Sequence, residues 1–212
     1  SMSTAWTPAE QPDSFVFDAA SEEEILGVLR KYPEERKASA VMPLLYIAQR
    51  QMGRVTGSAW VPVVAMDLIA QRLGMAAIRV YEVASFYTMF NTRPIGRYHL
   101  QVCTTTPCWL RGSDDVTSAC QKATGIQHFG DTSADGLFTL TEVECLGACA
   151  NAPILQVDDD FYEDMNAERT EAVIAELRAG RRPAPGPSIN RSVSAPEGGR
   201  KTLLSSSTAD QE

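Results

Sequence analysis

The 212-residue sequence contains no apolar run near the roughly 18–20 residues that a bilayer-spanning helix needs. It shows no basic stretch followed by an apolar one near residue 1, so no secretory leader is expected. Basic residues are the minority, 19 against 27 acidic, for a formal net charge of −8. A general nucleic-acid binder would need a basic face to neutralise phosphates, and that class is set aside. Histidine is scarce, with two copies, and neither lies in a recognisable nucleophile pattern. Cysteine is scarce too, with five copies and no C-x-x-C, which lowers a thioredoxin-type redox device. An odd cysteine count without a leader also argues against a disulfide framework. In a reducing compartment, clustered cysteines more often bind metal or carry redox chemistry.

What is present is an ordinary globular composition, 44% hydrophobic, long enough for a core. The pattern predicts an α+β chain in three zones. Residues 13–92 read as a helical bundle. Ser21-Glu22-Glu23-Glu24 carries an S-x-x-E capping box for a first helix that Pro33 stops. A second helix starts between Ala40 and Pro43, with Leu44, Leu45, Ile47 and Ala48 as its stripe and Gly53 as its stop. A third runs from about Pro62 to Leu73, and a fourth over about 79–89.

Residues 93–180 read as a small α/β domain with a mixed sheet. Tyr98, Leu100 and Val102 alternate with His99 and Gln101 on a strand. Residues 109–124 read as a helix, 137–143 and 154–157 as strands, and 168–179 as a second helix. Residues 181–212, rich in proline, glycine and serine, read as a flexible tail that buries too little apolar surface to order alone.

Four cysteines form two close pairs, Cys103-x4-Cys108 and Cys145-x3-Cys149, with 36 residues between the pairs. Each pair follows a strand. If those strands are neighbours, their loops meet at one end of the sheet and four thiolates converge. Soft thiolates suit an iron–sulfur cluster or zinc, and both spacings are compatible with zinc. A dithiol device is the third option. Gly147, Ala148 and Ala150 are small enough for backbone N–H groups to approach sulfur, and such bonds tune a cluster's potential.

The segments ASFYTMFNTRPIGRYHLQVCTTTPCWLRGS and VECLGACANAPILQV carry a closer resemblance. Together with MPLLYIAQRQMG and DDDFYEDMNAER they resemble the 2Fe–2S subunit of bacterial NADH:quinone oxidoreductase, respiratory complex I, over about residues 20–178. The resemblance implies a helical bundle followed by a thioredoxin-like domain. It implies one 2Fe–2S cluster on Cys103, Cys108, Cys145 and Cys149, leaving Cys120 outside the motif. It implies an electron-transfer subunit of an oxidoreductase, with no acid, base or nucleophile on this chain. FMN and NADH would sit on a partner subunit that exchanges single electrons with the cluster. The site would be cytoplasmic, peripheral to the inner membrane through the complex. The same module occurs in NAD-linked formate dehydrogenases and hydrogenases, and a structural zinc scaffold is the competing class.

Other residues invite bland readings. Cys120 reads as a small core residue, and His99 as a satisfied or exposed strand residue. Asp158-Asp159-Asp160 lacks calcium-loop spacing and reads as a solvated turn. Trp109 either shields the site or simply packs. Ser85, Phe86, Tyr87 and Phe90 read as core aromatics at helical spacing rather than a partner-facing patch. Glu142 and Glu144, if close to the cluster, would lower its potential.

Overall fold

The computed structural model describes residues 10–199 and 202. The chain divides into two compact units at Arg97/Tyr98. No helix among the described residues is long and apolar enough to cross a membrane.

The first unit is all helical: α1 (Ala19–Leu29), a 3-10 segment (Glu34–Ala40), α2 (Val41–Thr56), α3 (Val63–Leu73) and α4 (Ala77–Phe86). Ile25, Leu44, Leu45, Ile69 and Val80 are fully buried at its centre. The cap of α1 differs from the capping-box expectation. Asp18 is the cap, accepting from Ser21 N at 2.8 Å, and Ser21 lies inside the first turn. Helix α2 also runs past Gly53 to Gly57, which takes φ 79°. Gly53 serves a close approach instead: a Cβ there would lie 3.1 Å from Ala59 Cβ. The buried Gln51 ties α2 to the entering chain, donating to Val16 O at 2.7 Å and accepting from Asp18 N at 2.9 Å. The expected aromatic core is split: Phe90 is buried, but Phe86 is 77% exposed.

The second unit orders as β1 (Tyr98–Cys103), α5 (Thr106–Leu110), α6 (Ser113–Thr124), β2 (Phe138–Val143), a 3-10 turn (Cys149–Asn151), β3 (Leu155–Val157), β4 (Asp160–Glu163), α7 (Ala167–Arg178) and β5 (Gly186–Pro187). The mixed sheet runs β2-β1-β3-β4-β5. β1 and β2 are parallel, with Cys103 opposite Val143; β3 is antiparallel to β1 and to β4. Val116 and Cys120 of α6, with Val173, Ile174 and Leu177 of α7, share one apolar cluster with Leu100, Phe138 and Leu155 of the sheet.

Three features depart from the sequence reading. The helix expected at 109–124 is broken at Gly112 (φ 100°) into α5 and α6. β1 is buried at every position rather than on alternate ones, because it is a central strand. The expected turn is present at Asp158–Asp159 and Asp159 is exposed, but the Asp158 side chain is largely covered. Asp158 holds φ 54°, accepts from His99 N at 2.8 Å and pairs with Arg182.

Residues 130–133 bond along the outer side of β2, with Gly130 N on Leu140 O (2.7 Å) and Ser133 N on Phe138 O (2.7 Å). On the other side, β5 pairs in parallel with Tyr162 and Glu163 of β4. Of the segment expected as a tail from residue 181, the part from Arg182 to Ser188 is therefore held to the sheet, and Arg191 to Asp164 just beyond β4. Arg182 and Arg191 find acidic partners there, which composition alone could not reveal. Residues 200, 201 and 203–212 of that segment lie outside the described residues.

Candidate metal centre

Because β1 and β2 are parallel neighbours, the loops that follow them leave the same end of the sheet. The loop after β1 carries Cys103 at the strand's last position and leads through Thr104, Thr105 and Pro107 to Cys108 in α5. The loop after β2 carries Cys145, turns at Gly147 (φ 82°) and reaches Cys149 at the start of the 3-10 turn. A side chain at Gly147 would strain that turn.

No disulfide joins any of the four cysteines, and the fold brings them together in two pairs. Cys145 Sγ lies 3.5 Å from Cys149 Sγ. Cys103 and Cys108 hydrogen-bond through their thiols, and the charge of Cys103 is felt by both Cys145 and Cys149. Cys103 and Cys108 are buried, against Ala152 and Ile154, with Leu146, Ala148 and Phe161 packed alongside. Cys145 and Cys149 are exposed. One side of the site is thus dry and the other faces water.

Backbone amides reach the sulfurs. Burial pushes the Cys103 thiol up, but hydrogen bonds from the Thr105 hydroxyl and from the Leu146 and Thr105 N–H groups outweigh it and bring the thiol below its ordinary range. Thr105 Oγ1 lies 3.3 Å from Cys103 Sγ. The Gly147 N–H lowers Cys145 in the same way. Burial dominates at Cys108, whose thiol is pushed up to about 12 despite the Ile154 N–H. Cys149 is raised, chiefly by its hydrogen bond with the Cys145 thiol. Within each pair one thiol is eased toward the thiolate and the other resists it.

This donor set fits a 2Fe–2S cluster, in which each iron takes two protein sulfurs, and N–H groups on the thiolates match the family of interactions that tune such clusters. Among the described residues no three His, Cys, Asp or Glu side chains close around a single ion position.

The remaining candidates stay apart from the site. Cys120 is fully buried in the α6–α7–sheet cluster, its thiol pushed up to about 12 by burial. His99 is buried with Nε2 2.8 Å from Thr141 Oγ1. Trp109, next to Cys108, is 57% exposed, so it is at most partly packed, beside Leu110 at 71%. Sequence reasoning missed Thr105, whose place two residues after Cys103 and just before a helix marks it as a local hydrogen-bonding hydroxyl. It also missed Thr104, which donates to Glu142.

A thioredoxin-like [2Fe-2S] ferredoxin family matches residues 25–178. A subunit of the NADH-quinone oxidoreductase of Rickettsia bellii (strain RML369-C) is 50% identical over 165 residues, 78% of this chain and 95% of its own length. Its namesake from Rickettsia prowazekii (strain Madrid E) is 51% identical over 161 residues, 76% of this chain and 88% of its own. An NAD+-reducing [NiFe]-hydrogenase in its air-oxidised state aligns with a TM-score of 0.58 at 20% identity, over 76% of this chain and 28% of that one, a likeness of fold. The chain therefore belongs to the thioredoxin-like [2Fe-2S] ferredoxin family, as a 2Fe–2S electron-transfer subunit of the NADH-quinone oxidoreductase kind.

Proposed function

We propose that Cys103, Cys108, Cys145 and Cys149 hold one 2Fe–2S cluster that exchanges single electrons with the FMN of a partner NADH-binding subunit. The supporting observation is the meeting of the two cysteine loops at one end of the parallel β1–β2 pair. By the same reading residues 13–92 act as a helical bundle and 93–180 as the cluster domain. The chain works at the cytoplasmic face of the inner membrane, held there by the larger complex.

When bound, the cluster supplies a one-electron store, and the protein supplies binding, orientation and electrostatics. The N–H dipoles of Leu146, Gly147 and Ile154 favour the more negative charge state at the sulfurs. The carboxylate of Glu142, hydrogen-bonded by Thr104 next to Cys103, opposes it. Ala152, Ile154 and Phe161 keep water from Cys103 and Cys108. The exposed Cys145–Cys149 side is where a redox partner can approach.

Iron and sulfide analysis of anaerobically prepared protein, with electron paramagnetic resonance after reduction, tests the reading. About two irons and two sulfides per chain are expected, lost on Cys→Ser change at any of the four positions and kept in Cys120→Ser. Zinc without iron, or retention of both irons after all four changes, would overturn it. Co-purification with an untagged flavoprotein tests the partner.

A further inference from the structure

Beyond residue 178, where the family match ends, the chain stays on the sheet. Arg182 pairs with Asp158 and Asp160. Tyr162 Oη donates to Pro183 O at 2.9 Å, and Ser188 N donates to Glu163 O at 3.1 Å on either side of the short β5 pairing. The path then leads to the turn that follows Cys149. Arg191, its side chain 11% exposed, pairs with the 4%-exposed carboxylate of Asp164 at 2.9 Å. The same guanidinium donates to Asn151 Oδ1 at 2.9 Å and to Ala150 O at 3.2 Å. Asn151 in turn donates through its amide to Val193 O at 2.9 Å. Val193 holds φ 49°, a region that β-branched residues avoid, so the segment is bent to make this contact.

We propose that residues 181–193 form a strap over the cluster domain and that Arg191 is a positioning residue for the Cys149–Asn151 turn. A planar guanidinium that donates to a side-chain amide oxygen and a backbone carbonyl, while meeting the Asp164 carboxylate as a charge, fixes the direction as well as the length of the first two contacts, which an ammonium cannot do. A buried ion pair is a weak source of net stability because desolvation offsets its attraction. Its product here is geometry: Ala150 and Asn151, the two residues after Cys149, are held to Asp164 at the end of β4 through one side chain. Asp164 is itself tied to the turn by its N–H on Asn151 O at 2.7 Å. The strap therefore sets where the Cys149 sulfur can go. This inference rests on the reading of Cys149 as a cluster ligand.

The test uses the full chain carrying its cluster, in wild type, Arg191→Gln, Arg191→Lys and the pair Arg191→Met with Asp164→Asn. The paired change leaves no unpaired buried carboxylate, so it remains informative where Arg191→Gln fails to fold. Iron release to a chelator, the line shape of the reduced protein's paramagnetic spectrum and the thermal midpoint are followed together. A positioning role predicts release about tenfold faster or more in Arg191→Gln and in the paired variant, with a broadened spectrum and partial recovery in Arg191→Lys. Release at the wild-type rate in the paired variant, or release that merely follows the thermal midpoint across the series, overturns the strap. A wild-type chain that takes up no iron overturns the ligand reading instead, so the two failures are distinct.

Discussion

His99 Nε2 lies 2.8 Å from Thr141 Oγ1, reaching diagonally across the parallel β1–β2 ladder past Thr139, its direct partner. Burial lowers the imidazole from 6.5 to about 4, so the folded protein holds it neutral across most of the physiological range. Unfolded chain binds a proton at this residue near pH 6.5 and folded chain does not. Stability is therefore complete above pH 6.5 and declines as pH falls toward 4, by about 3 kcal/mol in total and about 2 kcal/mol by pH 5. Urea unfolding of wild type and His99→Gln between pH 7 and pH 5 checks this. The variant's curve should be flatter by about that amount, and parallel curves would refute it.

Thiol exposure predicts an order of alkylation in metal-free, folded protein. Cys145 and Cys149 are exposed, while Cys103, Cys108 and Cys120 are buried. Cys145, whose thiolate the Gly147 N–H favours, should react first with iodoacetamide. Cys120 should react only on unfolding, its thiol being pushed up to about 12 and sealed between α6, α7 and the sheet. Peptide mapping at successive times reads the order.

Two glycines in the helical unit should respond in opposite ways to alanine. Gly27 lies inside α1, and a Cβ there meets nothing within 4 Å. Gly27→Ala should stabilise by up to about 1 kcal/mol through helix propensity. Gly57 ends α2 at φ 79°, and Gly57→Ala should destabilise by about 1 kcal/mol. Denaturant midpoints at constant slope measure both.

Glu142→Gln removes a carboxylate that is hydrogen-bonded by Thr104, the residue after Cys103. The reduction potential should rise by a few tens of millivolts at low salt, and by less at high salt, since Glu142 is exposed and screened. A potentiometric titration that finds no change at low ionic strength would remove Glu142 from the account of the potential.

Much of this structure was legible from local pattern. The stripe of Leu44, Leu45, Ile47 and Ala48 marked α2, and the cysteine pairs each following a strand pointed to one end of the sheet. What local pattern could not carry was partnership across the chain. Gly53 read as a helix stop because its reason for being glycine, the approach of Ala59, lies beyond the helix. His99, read as satisfied or exposed, is satisfied by Thr141, but the burial of both His99 and Gln101 could not be read because sequence does not say that β1 is central. Gln101 answers its burial by donating to Asp158 O at 3.2 Å. Asp158-Asp159-Asp160 looked solvated because the cation that answers Asp158, Arg182, lies in a segment whose composition suggested no order. Arg191 was hidden for the same reason, since a proline-, glycine- and serine-rich stretch discloses nothing about the two or three side chains that anchor it.

The bonding of residues 130–133 along β2 and of β5 along β4 has a bearing on assembly. Among the described residues both flanks of the sheet already have their main-chain donors and acceptors engaged over part of their length. A neighbouring chain thus finds little room to join by β-augmentation, the route that also leads to uncontrolled polymerisation.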